Sequence, residues 1–253
     1  MKRFFTVILL ALVPALVFAA KGDFYQIKIY HLKSADQEER VDQFLEQAYL
    51  PALHRAGVSD VGVFKPIASG PERLIYVLIP FRSAKDFLGI DAKLGKDRRY
   101  QQDGKAYLDA PYNDKPYERI ESILLNAFKS SPRYALPKLS GPKKDRVYEL
   151  RSYEGHTEKI SANKISMFNE GDEIGLFKRL NFNAVFYGEV ISGSAMPNLM
   201  YMTTFENRAD RDKHWDAFGK DAYWKKLSAM PEYQNNVSKN SQFLLYPTDY
   251  SDI

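Results

Sequence analysis

The chain has no cysteine among its 253 residues. That excludes a thiol nucleophile, an iron–sulfur cluster, a cysteine zinc site and a disulfide scaffold. It has no large excess of either charge, with 36 Lys and Arg against 32 Asp and Glu. So even a balance does not point to nucleic acid. Gly-x-Gly-x-x-Gly and Gly-x-x-x-x-Gly-Lys are both missing, which removes the usual phosphate-cradling loops. Gly-x-Ser-x-Gly is missing too, and with it the nucleophile elbow of the α/β hydrolases. The four histidines, His31, His54, His156 and His214, offer no pair at helical ligand spacing. No metal site is therefore expected. No cofactor is expected either; haem, which needs only a single axial histidine, is the one that histidine spacing does not address.

What is present is ordinary globular composition, 45% apolar and 27% charged, long enough for one large or two smaller domains. The one long apolar run spans residues 4–20. It follows Lys2 and Arg3, is broken only by Thr6 and Pro14, and ends Val17-Phe18-Ala19-Ala20. A short apolar stretch with a basic start and a small-residue end reads as a cleaved signal peptide over residues 1–20. It is shorter than a confident membrane span. Without a cysteine at the cleavage point, a lipoprotein anchor is excluded. The expectation is an exported protein, periplasmic or secreted, with no stable membrane anchor after processing. Its charge would be near neutral, 34 basic against 32 acidic side chains.

The rest of the chain reads as one unit written twice. Phe24-Tyr25-Gln26-Ile27-Lys28-Ile29-Tyr30 aligns with Val147-Tyr148-Glu149-Leu150-Arg151-Ser152-Tyr153, Leu74-Ile75-Tyr76-Val77 with Leu199-Met200-Tyr201-Met202, and Gly95-Lys96-Asp97 with Gly219-Lys220-Asp221. Matches in one order at a nearly constant offset argue for duplication. The segment 129–145, with three prolines, a glycine and three serines, reads as a linker between repeats at 23–128 and 146–250. Within each repeat the order is strand, helix, strand, strand, helix, strand. Ser34 with Gln37, and Thr157, mark helix starts. Val41, Phe44, Leu45, Ala48, Ala52, Leu53 and Ala56 keep a 3.6-residue period, with Pro51 placed to kink that helix and Gly57 to end it. This βαββαβ order predicts an α+β fold. Two tandem ferredoxin-like repeats would pack sheet to sheet as an intramolecular α/β barrel, burying the sheet face that each leaves bare.

The strand Val147–Tyr153 resembles the Tyr-Glu-Leu-Arg-x-Tyr opening of the NIPSNAP family. Met196-Pro197-Asn198-Leu199-Met200-Tyr201-Met202-Thr203 and Arg211-xxx-Trp215 resemble later family segments. Tyr49-Leu50-Pro51-Ala52-Leu53-His54-Arg55-Ala56-Gly57 is similar to exported bacterial two-repeat members. The first repeat departs, with Gln26 and Lys28 where the second has Glu149 and Arg151. The resemblance implies a dimeric α/β-barrel relative and no single chemistry. The wider group includes cofactor-free monooxygenases, isomerase-like enzymes and haem-binding chlorite dismutases.

Strand alternation sorts the side chains by face. The most aliphatic set, Tyr25, Ile27 and Ile29, is assigned to the helix-covered side. That aims Lys28, Tyr30, Glu149, Arg151 and Tyr153 into the barrel, with Tyr187, Glu189 and Tyr201 added from neighbouring strands. In one reading this is a ligand pocket. Arg151 would grip a carboxylate or carbonyl with its planar fork, tyrosines would form the walls, and Glu149 or Glu189 would be available as a base. In the other, the same groups are ion pairs and hydrogen bonds that satisfy one another. The functional expectation is a protein binding a small organic ligand or a protein partner through the barrel, without nucleic acid; a homo-oligomer is compatible with it. The alternative is a cofactor-independent monooxygenase or isomerase for an aromatic or carboxylate substrate.

Overall fold

A computed structural model describes residues 22–68 and 70–253; the expected signal segment lies outside the described residues. Eight strands form one closed antiparallel barrel: β1 (Phe24–Leu32), β2 (Gly62–Pro66), β3 (Arg73–Phe81), β4 (Arg119–Ala127), β5 (Val147–Glu154), β6 (Phe186–Ser192), β7 (Asn198–Phe205) and β8 (Lys239–Pro247). Around the barrel the order is β1-β3-β2-β8-β5-β7-β6-β4. Each repeat thus contributes a four-stranded ferredoxin-like sheet, β4-β1-β3-β2 and β8-β5-β7-β6. The two sheets join at β2–β8 and β4–β6, so neither keeps a free edge.

The helices lie outside the barrel. They are α1 (Ala35–Phe44), α2 (Leu50–Arg55), α3 (Ala84–Leu94), α4 (Arg98–Asp103) and α5 (Lys105–Leu108) in the first repeat. In the second they are α6 (Glu158–Asn169), α7 (Glu173–Arg179), α8 (Arg208–Lys220) and α9 (Ala222–Ser228). The expected caps form: Ser34 Oγ accepts from the Gln37 N–H at 3.2 Å, while the Gln37 amide oxygen accepts from the Lys33 N–H at 2.7 Å. Thr157 Oγ1 accepts from the Ile160 N–H at 3.3 Å at the start of α6, without the reciprocal bond. Pro51 does not simply kink the chain. A π-helical turn, Leu45–Tyr49, precedes it, and the Leu50 N–H reaches back to the Leu45 carbonyl. Widening the helix there accommodates a residue that lacks an N–H and crowds the preceding turn. Gly57 ends α2 at φ 90°, a left-handed conformation that suits glycine.

Three apolar clusters follow. Tyr25, Ile27, Ile29, Phe64, Leu78, Tyr148, Leu150, Met200 and Met202 fill the barrel, drawing on both repeats. Tyr30, Val77 and Ile79 meet the first repeat's helices, and Tyr153, Leu199 and Tyr201 meet the second's. The aliphatic face of β1 is therefore the barrel interior, opposite to the expectation from alternation. The reason is physical. The barrel is walled by sheet on all sides and is the driest compartment, so the least polar face goes there. The helix layer has rims at which long polar side chains reach water or one another.

Candidate functional site

The residues singled out by sequence lie between sheet and helices, not in the barrel. On β5, both Nε and Nη2 of Arg151 lie 2.7 Å from Glu149 Oε1. Arg211, on α8, reaches Glu149 Oε1 and Oε2 at 2.9 and 2.8 Å, and the Trp215 indole N–H donates to Glu149 at 2.6 Å. The Arg151 guanidinium stacks 3.7 Å from the Trp215 ring centroid and donates to Tyr153, whose hydroxyl shares a 2.8 Å hydrogen bond with Tyr201. Glu149 is fully buried. Burial pushes its carboxyl up, but the Arg211 hydrogen bonds, the Arg151 charge and the Trp215 N–H together hold it below the usual carboxylate range. Burial also raises the Tyr187 and Tyr201 phenols well above their ordinary range, so both stay protonated.

Seven of the eight predicted residues thus sit beneath helices. Tyr187 stacks on Tyr201 with ring centroids 5.6 Å apart, and Lys28 and Tyr30 occupy the equivalent layer of the first repeat. Glu189 is exposed on β6 and does not join the others. With its guanidinium bound by Glu149 and covered by Trp215, Arg151 is not the open anion fork that sequence suggested. The satisfied-network reading describes this cluster. Reasoning from sequence missed Arg211 as Glu149's second partner, although Arg211 and Trp215, four apart, fall on one face of α8.

The barrel itself carries a different site. Along each strand the inward residues become more polar toward one end: Tyr25, Ile27, Ile29, His31 on β1; Tyr148, Leu150, Ser152, Glu154 on β5; Leu245, Phe243, Ser241, Lys239 on β8. The apolar end is filled, with Tyr25 against Phe186 at 5.1 Å and Phe64 against Tyr148 at 4.8 Å, and Ile253 buried beside them. The polar end opens into a cavity of about 270 Å³. Its wall is Ile29, Tyr76, Ile123, Val190, Met200 and Phe243. Its rim is His31, Glu121, Glu154, Ser194, Asn198 and Lys239.

The rim is ordered by its own contacts. His31 Nδ1 lies 3.0 Å from Glu72 and its Nε2 3.8 Å from Glu121, which also accepts from the Ser194 hydroxyl. Lys239 pairs with Glu154 at 3.1 Å. Buried Ser152 and Asn198 hydrogen bond at 2.8 Å on the cavity wall. Burial, with the charge of Glu121, pushes the Tyr76 phenol up to about 12, so it serves as a donor rather than a base. An apolar cup with a ring of donors and acceptors is suited to hold a small organic molecule by its body and orient it by one end. A wider groove of about 630 Å³ adjoins the mouth outside the barrel, but Lys65 and Arg73 on its walls are already paired with Glu38, at 2.8 and 2.7 Å. Among the described residues no group of three His, Asp or Glu side chains is arranged for a metal ion.

Comparison with known proteins places this architecture. No curated protein matches the chain. A Lactobacillus acidophilus protein, provisionally described as a monooxygenase, superposes with TM-score 0.60 at 11% identity, covering 90% of this chain and 94% of its own. A similarly described protein from Fusobacterium nucleatum gives 0.59 at 7%, covering 90% and 93%. An anthrone oxidase-like protein gives 0.51 at 9%, covering 91% and 93%. At such identities the likeness establishes the fold, with both repeats in one chain, and not the reaction. Residues 148–252 match the sequence model of the NIPSNAP family. The second repeat, from the strand that carries Glu149 and Arg151 to the end of the last strand and beyond it, is thus similar in sequence to the NIPSNAP family.

Proposed function

We propose that this is an exported protein that binds a small organic molecule in the polar-rimmed mouth of its barrel. The observation that carries the reading is the gradient of polarity along the inward faces, from Tyr25 to His31 and from Tyr148 to Glu154, ending in a cavity of about 270 Å³. A barrel of purely structural purpose gains nothing from Ser152, Asn198 and Ser241 on its inner wall. Each is a polar group that must be desolvated and paired. The ligand has an apolar or aromatic body fitting between Tyr76, Met200 and Phe243, and one hydrogen-bonding end at the His31–Glu121 side. Native mass spectrometry of the purified protein, with 1-anilinonaphthalene-8-sulfonate as a competing probe, tests this. Ser241→Phe, which projects a ring into the cavity, should remove both the co-purified ligand and probe binding while leaving the melting temperature within a few degrees. Unchanged probe binding in a folded Ser241→Phe variant would refute the site.

One observation favours a catalytic version. His31 is held between Glu72 and Glu121 at the edge of an apolar cup, an arrangement in which an imidazole can take a proton from a bound substrate. The monooxygenase description of the two bacterial neighbours makes cofactor-independent oxygenation the natural trial reaction. With anthrone as probe, one O2 would convert the ring CH2 to C=O and release one water. Oxygen uptake lost in His31→Ala would establish turnover. No uptake by wild-type protein would leave binding alone.

A further inference from the structure

Two groups at the barrel mouth are left unmatched by the protein itself. Glu121 stands at the cavity edge with its side chain 28% exposed. It accepts from the Ser194 hydroxyl, but its nearest basic group is His31 at 3.8 Å, which lies closer to Glu72 at 3.0 Å. Lys239, also on the cavity, is taken by Glu154 at 3.1 Å. Arg119, two residues before Glu121 on β4, makes no ion pair with it among the described residues. The second group is Tyr76. It is only 4% exposed, yet its hydroxyl has no hydrogen-bond partner among the described residues. Unlike the sealed hydroxyls of Tyr25 and Tyr148, it opens into the cavity. Burial and then the charge of Glu121 keep this phenol protonated, so its oxygen can accept as a neutral hydroxyl. Its ring lies 6.0 Å from that of Phe243, tilted by 43°. An apolar cavity of about 150 Å³ holds one benzene. One of about 270 Å³ therefore has room for one aromatic ring and a short arm.

We propose, resting on the reading of the mouth as a ligand cavity, that the molecule held there is a primary arylalkyl amine bound as its ammonium ion. The aryl ring lies in the cup against Tyr76 and Phe243. The ammonium group, which has three donors and no acceptor, donates to the Glu121 carboxylate and to the Tyr76 hydroxyl oxygen. The sign of the ligand's charge follows from what filling the cup does to Glu121. A bound ring displaces water from that carboxylate. A neutral ligand leaves it desolvated without a cation, and an anion adds repulsion. An ammonium ion supplies both the charge and the donors, and the aromatic faces around it add to the attraction.

Isothermal titration calorimetry of the purified protein with phenethylamine, phenethyl alcohol and phenylacetate compares three charges on one body. The amine should bind about tenfold tighter than the alcohol, and phenylacetate more weakly still. Glu121→Gln keeps a partner for Ser194. It should bring the amine down to the level of the alcohol and leave the alcohol within about twofold. Tyr76→Phe keeps the ring and should cost the amine about threefold. Ser241→Phe should abolish binding of all three. An alcohol or phenylacetate that binds as tightly as the amine overturns the proposal. So does an amine that keeps its full affinity in Glu121→Gln or in Ser241→Phe, and so does binding of none of the three. Equal binding of all three, abolished by Ser241→Phe, would remove the charge assignment and leave the cavity standing. No binding of any, together with anilinonaphthalenesulfonate binding unchanged in folded Ser241→Phe, would remove both.

Discussion

Replacing Glu149 should cost more stability than replacing Arg151, although the two form one ion pair. Glu149 alone serves two cations. Removing it as Glu149→Leu strands Arg151, whose side chain is 8% exposed, close to Arg211 at 13%. A buried charge left without its partner costs about 3–5 kcal/mol. Arg211 offsets part of this by turning fully to Asp212, already 2.9 Å away. In Arg151→Met the carboxylate keeps two hydrogen bonds from Arg211 and one from Trp215. What is lost is one charged hydrogen-bonding partner and the stacking on Trp215. A flexible apolar chain of similar length fills part of the space, so we expect about 1–3 kcal/mol. Adding Arg151→Met to Glu149→Leu removes one stranded cation and should recover about 1–2 kcal/mol. Urea unfolding at pH 7 reads these differences as shifts in midpoint at constant slope. The pH dependence provides a second check. The Glu149 carboxyl is depressed in the folded state, so its stabilisation is complete above the unfolded-state value of about 4.3 and disappears as pH falls through the lower folded value. Glu149→Gln should therefore flatten the acid limb of the stability curve. An Arg151→Met variant as destabilised as Glu149→Leu, or a Glu149→Leu variant within 1 kcal/mol of wild type, would refute the assignment of Glu149 as the shared acid.

Other consequences follow from the same structure. Lys164 and Glu173 form a buried pair at 2.8 Å beneath Phe168 and Trp224, so Lys164→Met should destabilise by about 3–5 kcal/mol, and Lys164→Met with Glu173→Leu by clearly less; equal losses by urea unfolding would contradict it. Cutting the chain after Lys129 exposes the edges of β2, β4, β6 and β8, so the halves should co-purify as one complex when expressed together and aggregate when expressed alone. Two soluble monomeric halves by light scattering would contradict the shared barrel. Export should remove residues 1–19 or 1–20, which the intact mass of periplasmic material checks directly.

The duplication, the βαββαβ order and the caps at Ser34 and Thr157 were legible because each is a local pattern, repeated at a fixed offset. The Glu149–Arg151 contact was legible for the same reason: two residues apart on a strand, they share a face. What alternation cannot supply is which face looks inward. Tyr25, Ile27 and Ile29 fit a helix-packed face as well as a barrel interior, and only the closed ring of eight strands decides between them. The inversion carried every candidate with it, and it concealed the mouth. His31 and Ser152 continue the faces of Ile29 and Leu150, which the alternation argument turns toward the helices, and Glu121, Glu154 and Lys239 join them at the mouth. Their signal was available all the same, as a fall in hydrophobicity along one face of β1, β5 and β8 toward the same barrel end. Glu189 shares a face of β6 with Tyr187, as alternation requires, but opposite Leu199 and Asn126 it stands at the surface, apart from the others.

The charge network and the barrel mouth are coupled through β5, because the two faces of that strand serve them in alternation. Glu149, Arg151 and Tyr153 meet α8 and the tyrosines; Leu150, Ser152 and Glu154 line the barrel. A slip of one residue would exchange the two sets. It would place Glu149 in the barrel beside Leu245 and Phe243, and Leu150 under Trp215. A carboxylate there would have neither Arg211 nor the Trp215 N–H, and the effective penalty for burying an ion unpaired is several kcal/mol. The correct register therefore gains the ion cluster and the dry core together, and the wrong one forfeits both. In this view the Glu-Leu-Arg pattern of the family segment need not touch a ligand to matter for one. By fixing which way β5 faces, it fixes where Ser152 and Glu154 stand at the mouth.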